Sequence, residues 1–266
     1  MPRCLGKQAT IVAKGNVQGT AHADVIVSGP GADRIAAGGG NDRICAAGDD
    51  DVIEGGTGSD RIDAGGGEDE VVGGNGSDLV LSGPGTDTVV GKRGNDNLKG
   101  GPGAGDFLDS GLGDDTLDGG PGDGDQVIGG VGNDRLSGGS GEGDVLEGDL
   151  GTDLIDGGPA AHDTASYALA GSGQVFLNGI GVEVDLGAGT AQGDGEDTLR
   201  GIEDVVGTPS LTRSSATLNQ MASTAAAGST NWSESAPATR PPAGRAPTSA
   251  VRWRAPTPAS WKLPRL

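Results

Sequence analysis

Aromatic residues make up 2% of the 266 residues, too few to anchor a large globular core. There are two histidines, His22 and His162, and they stand far apart, which excludes a zinc site of the H-E-x-x-H type. No G-x-S-x-G nucleophile elbow occurs, and no glutamate closes a twelve-residue EF-hand loop. Positive charge is scarce as well: 18 Lys and Arg stand against 38 Asp and Glu, a net charge of −20. A body this acidic argues against nucleic acid as a partner. No apolar run approaches the length of a membrane span. No charged and then apolar leader precedes Cys4, which suggests a natural start codon further upstream. Through the middle of the chain the 3.6-residue apolar period of a helix is missing.

Glycine is abundant instead, at 55 residues, and it is ordered by aspartate. From Asp24 an aspartate returns every ninth residue, at Asp33, Asp42, Asp51, Asp60, Asp69, Asp78, Asp87 and Asp96. Glycines crowd the residues before each one, and an apolar residue follows two positions after. Gly55-Gly56-Thr57-Gly58-Ser59-Asp60-Arg61-Ile62-Asp63 is the unit at its cleanest. The glycine run is a turn, because glycine reaches positive φ and lets backbones approach closely. Gly56, Gly58, Gly74, Gly76, Gly83, Gly85, Gly120, Gly122, Gly130, Gly132, Gly139 and Gly141 are read as such turn glycines. The residues around the apolar position form a strand of about three residues, too short to stand alone. From Ile26 to Ala165 the apolar position falls sixteen times, and in fifteen it is Ile, Val or Leu. Alternation along a strand points that residue inward and its neighbours outward.

Beyond Asp96 the steps alternate ten, nine, ten, nine, through Asp106, Asp115, Asp125, Asp134, Asp144, Asp153 and Asp163. Each longer step carries its extra residue in the turn, as in Gly122-Asp123-Gly124-Asp125. If successive turns fall on opposite sides of a coil, every insertion lies on one side and the strand register survives. Two units then make one coil of 18, later 19, residues. Composition alone would also suit a disordered Gly/Asp tract; the shared phase of aspartate and apolar residue argues against that when a cation is present.

The unit G-G-x-G-x-D-x-U-x resembles the nonapeptide of the RTX (repeats-in-toxin, haemolysin-type) calcium-binding family. The resemblance is strict over 19–165 and looser to about Gly207. It implies an all-β fold, a right-handed parallel β-roll or β-solenoid, with calcium held between turns stacked on the same side. Asp24, Asp42, Asp60, Asp78, Asp96, Asp115, Asp134 and Asp153 would form one row of ligands, and Asp33, Asp51, Asp69, Asp87, Asp106, Asp125, Asp144 and Asp163 the other. Eight turns leave seven gaps in each row, a ceiling of fourteen ions. Residues 1–207 hold 37 of the 38 acids and 11 of the 18 bases, and like charges stacked this way repel unless neutralised. Calcium is therefore expected to act as a folding switch. The histidines read as substituted turn glycines, and no catalytic residue is assigned. Three roles stay open: a secreted calcium-binding roll, an extracellular adhesion or spacer module with an unidentified surface or matrix partner, and the C-terminal part of a larger exported enzyme or toxin.

Four segments follow. Residues 1–18 form a lead-in strand and cap, resembling the mature start of secreted actinobacterial RTX proteins, and 19–165 the roll. Residues 166–207 resemble the closing segment of serralysin-like C-terminal domains, with one degenerate repeat at Gly193–Leu199 in which Asp197 is a weaker calcium candidate. For an exported protein, Cys4 and Cys45, the only cysteines, are expected to pair; the alternative is two free thiols. Residues 208–266 differ in kind: basic, rich in Pro, Ala and Thr, with one acid against seven bases. One reading is a disordered tail. The other rests on Thr212, Thr230, Thr239, Thr248 and Thr257, which lie at multiples of nine from one another: read two bases later, threonine codons contribute to aspartate codons, so the tail is read as frameshifted repeat. On that reading protease should trim the calcium-loaded protein back to near Gly207, and resequencing the gene should restore repeats; a protease-resistant tail in a confirmed frame would overturn it.

Overall fold

The computed structural model describes residues 2–167, 183–186, 188–192, 195–207, 213–214 and 223–225. Residues 1–228 form one compact unit, and the second unit, 229–266, lies outside the described residues.

No helix occurs among the described residues. The strands that follow the two rows of aspartates build two walls, a 13-stranded sheet after one row and an 11-stranded sheet after the other. Within each wall a strand pairs in parallel with the one a full coil away: Val71 faces Ile53 on one side and Val89 on the other. In the opposite wall Val80 stands between Ile62 and Leu98. This is a parallel β-roll with two repeats per coil. The insertions do what parity requires. Leu108 pairs with Val89 and Val127, and Leu117 with Leu98 and Leu136, so the register passes from 18 to 19 residues per coil without a slip.

All sixteen apolar positions are buried, from Ile26 to Ala165, in one column of aliphatic side chains between the walls. The strands differ from the expected three residues. Several, such as Val52–Thr57 and Glu70–Asn75, run to six, while Arg61–Asp63 and Leu79–Leu81 keep to three. The longer ones extend into the following turn because stacked turns share a conformation and go on exchanging backbone hydrogen bonds, as between Gly74 and Gly56.

At the N-terminus Gly15-Asn16-Val17 supplies a first repeat without aspartate: Asn16–Gln18 pairs in parallel with Arg34–Gly39, and Val17 is buried. Ahead of it Arg3–Cys4 and Lys7–Gln8 form a small antiparallel pair, and a disulfide joins Cys4 to Cys45 across 41 residues. At the far end Glu196–Arg200 resumes the parallel wall on Leu154–Asp156, and Asp204–Gly207 does so on Thr164–Tyr167. Glu183–Asp185 and Thr190–Gln192 form an antiparallel hairpin laid along the outer edge of Glu196–Arg200. Of 208–266, only Arg213–Ser214 and Ser223–Ala225 are described, each paired in parallel to the unit. The expectations for the rest of the tail, and for Gly193 and Asp194, lie outside the described residues.

Candidate metal centre

The sixteen aspartates occupy equivalent places. Each is buried, none exposed beyond 8%, and each points one carboxylate oxygen at the coil before it. The amide of Asp60 donates to Asp78 Oδ1 and that of Asp78 to Asp96 Oδ1, both at 2.8 Å. Across the roll Asp51 donates to Asp69 and Asp69 to Asp87 in the same way, again at 2.8 Å. The two rows therefore exist as two hydrogen-bonded ladders running the length of the roll. They continue past the strict repeat. Asp153 donates to Asp197 Oδ1 at 3.0 Å, and Asp163 to Glu203 Oε2 at 3.1 Å.

The second oxygen is the informative one. In fifteen of the sixteen, Oδ2 is buried with no hydrogen-bond partner: every aspartate of both rows except Asp24. A buried, unpaired carboxylate oxygen is costly, and one repeated at fifteen turns marks places suited to a cation. Burial drives the proton affinity up, to a pKa of about 7 at Asp78, Asp106 and Asp153 and about 6 at Asp51, Asp60, Asp69, Asp96 and Asp134. The donated amide works the other way, and like charge along the row adds to the rise. The ion pair Lys99–Asp118, at 3.8 Å, neutralises none of these groups.

Where the orphan oxygens face is shown by the turns that open on glycine. A Cβ on Gly73 would lie 2.6 Å from Asp78 Oδ2 and 3.2 Å from the Gly91 carbonyl oxygen; on Gly100 it would lie 2.5 Å from both Asp106 Oδ2 and the Gly119 oxygen. A carboxylate oxygen and a carbonyl oxygen from the next coil thus converge on a hollow that glycine leaves open. Hard oxygen donors in flexible number suit calcium. Among the described residues no three His, Cys, Asp or Glu side chains converge, as expected when each turn gives one carboxylate and the backbone gives the rest.

A sequence profile of the RTX calcium-binding nonapeptide repeat matches residues 18–53, 46–80, 81–104, 105–125, 123–142 and 128–160. The chain belongs to the RTX calcium-binding repeat family. No curated protein matches it. This RTX roll therefore binds calcium through its repeats, and its turns can be read one by one.

Of the predicted turn glycines, Gly56, Gly58, Gly74, Gly76, Gly83, Gly85, Gly120, Gly130, Gly132 and Gly139 have positive φ. Gly122 and Gly141 do not; in the longer turns that conformation moves to Gly124 and Gly143, with φ of 75° and 78°. Gly122 and Gly141 are glycine for another reason, since a Cβ there would collide with the carbonyl of the turn beneath. His162, with φ 71°, takes the place that Gly124 and Gly143 hold in their turns. His22 replaces a glycine in position but not in conformation, as it is absent from the positive-φ residues. Two substitutions separate these demands. Gly58→Ala meets a φ of 126° and a Cβ 2.5 Å from the Gly40 carbonyl carbon, and is expected to cost about 3–5 kcal/mol. Gly124→Ala meets a φ of 75° in open space and should cost about 1–2 kcal/mol. Thermal melts at saturating calcium check this; equal losses would show that close approach is not what Gly58 provides.

Sequence reasoning missed a second ladder. From Asn41 on, the residue before an aspartate of one row carries an acceptor for the next coil: Asn41 Oδ1 takes the Ser59 amide at 3.0 Å, Asp114 Oδ1 the Asn133 amide at 2.8 Å, and Asn133 Oδ1 the Thr152 amide at 3.1 Å. The signal was visible, since this position in that row holds only Asn, Ser, Asp or Thr from Asn41 to Thr152.

Proposed function

We propose that the chain is a calcium-driven folding module of an exported protein, with no catalysis of its own. Each ion would be held by Asp Oδ2 and by carbonyl oxygens of two turns stacked on one side. Bound calcium supplies the positive charge that those oxygens lack. The fifteen orphaned carboxylate oxygens carry this reading. Both rows gain a ninth rung, Asp197 and Glu203, and the row that starts at Asp24 is closed at both ends by the protein itself. Asp24 Oδ2 accepts from the Thr20 amide and hydroxyl at 2.9 and 2.8 Å, and Asp197 Oδ2 accepts from the Tyr167 hydroxyl at 3.1 Å. The Cys4–Cys45 disulfide supports an oxidising destination, and RTX repeats are typical of secreted proteins.

Calorimetric titration of the chelator-stripped chain tests this. Many ions per chain should bind, released again by chelator, and magnesium should substitute poorly because it demands tight octahedral geometry and keeps its waters. One or two ions, or equal uptake of magnesium, would overturn it.

A further inference from the structure

The residue that opens each turn is not always glycine. Ala37, Ala46 and Ala64 stand at this place ahead of Asp42, Asp51 and Asp69, and Ser28, Ser82 and Ser110 ahead of Asp33, Asp87 and Asp115. The alanine methyls fill the hollow that glycine leaves open at Gly55, Gly73 and Gly91; all three alanines are fully buried and belong to the apolar column. The serines act by hydrogen bonding. Ser28 Oγ donates to the Ala46 carbonyl at 3.0 Å, and Ser82 and Ser110 donate to the carbonyls of Gly100 and Gly129. In these turns the carbonyl, or the space beside it, is already taken, so an ion there would find fewer carbonyl ligands, even though Oδ2 of Asp33, Asp42, Asp51, Asp69, Asp87 and Asp115 keeps no hydrogen-bond partner.

The closed turns are not scattered. Six of the ladder aspartates precede residue 70. One, Asp24, is satisfied by Thr20, four follow Ser28, Ala37, Ala46 or Ala64, and only Asp60, after Gly55, has an open hollow. The other ten of the sixteen follow residue 70, and eight of their turns open on glycine. Charge divides at the same point. Residues 1–69 carry eleven acids against six bases, and 70–165 nineteen against four. The early column is Ile26, Ile35, Ile44, Ile53 and Ile62, and the disulfide pins Cys45 of this segment to Cys4. A cross-link over a loop this long removes much of the freedom of the unfolded chain.

We propose that the residue opening each turn sets that turn's need for calcium, and that residues 3–69 are in consequence a seed which stays folded without the ion. Calcium then extends the roll from Glu70 onward on a preformed end, so the loop-closure entropy of starting a coil is met before any ion arrives. The proposal rests on the calcium-binding reading of the ladders and adds where along the chain calcium is needed.

Hydrogen exchange on the full, oxidised chain tests it. In chelator, strand amides between Val25 and Asp63 should exchange at least a hundredfold more slowly than in the unfolded chain, while those from Thr88 to Arg200 exchange freely until calcium is added. Free exchange throughout in chelator, with protection throughout in calcium, removes the seed and leaves calcium-driven folding intact. Protection throughout in chelator removes both. The turn-opening residue is tested separately by Ala64→Gly, read by equilibrium dialysis in calcium. About one further ion per chain is expected; an unchanged number overturns the assignment of that position.

Discussion

Chelation is expected to strip the chain of most of its β-structure, and millimolar calcium to restore it in one cooperative step seen by far-UV circular dichroism. The roll has little else to hold it. Its apolar column takes about one large side chain from each repeat, its acids outnumber its bases by more than three to one up to residue 207, and its buried carboxylates are stacked along two rows. With affinities of about 10⁻⁴–10⁻³ M, the extracellular range, millimolar calcium contributes roughly 0.4–1.4 kcal/mol per site. Over the nine turns that open on glycine and keep an orphaned Oδ2 the sum is on the order of 4–13 kcal/mol, the size of a whole domain's stability. The transition should be steep, because each coil rests on its neighbours and repeat arrays gain stability from nearest-neighbour contacts. An unchanged spectrum on chelation would refute the switch.

Asp78→Ala should raise the calcium midpoint several-fold, and Asp24→Ala by much less. Asp78 sits mid-row: its Oδ1 accepts the Asp60 amide, its own amide donates to Asp96, and its Oδ2 is orphaned. Truncation leaves a buried N–H without an acceptor, about 1–3 kcal/mol, and removes the ligand oxygen as well. Asp24 ends the row, with Oδ2 already taken by Thr20. Asp78→Asn separates the two losses, since an amide oxygen can still accept from Asp60 but carries no charge. If Asp78→Asn behaves like wild type, the carboxylate is a hydrogen-bond rung and not a ligand. Equal shifts for Asp78→Ala and Asp24→Ala would argue against sites shared between turns.

Most of the architecture was legible because one period carried everything. The phase of Asp and Ile from Asp24 onward gave the rows, the column and the coil, and the ten–nine alternation gave the side on which the insertions lie. What the period could not say is which oxygen does what. That Oδ1 serves the backbone while Oδ2 is left over depends on the stacking distance between coils, which no residue spells out. Gly122 and Gly141 were grouped with the positive-φ glycines because sequence does not distinguish a conformational demand from a steric one. Glu203 went unseen as a rung, being neither aspartate nor in phase, and it stands 40 residues after the Asp163 amide it serves.

The ladders also have a direction. Every rung amide gives its hydrogen to the coil that follows, so the two ends of the roll are left with opposite deficits. A first coil leaves carboxylate oxygens that water or a nearby threonine can serve. A last coil leaves buried N–H donors, the kind of group proteins almost never abandon. The chain beyond the strict repeat has two acceptors to supply, and it does so with Asp197 for Asp153 and Glu203 for Asp163. Coils can be added anywhere ahead of that pair, but none can be last without it.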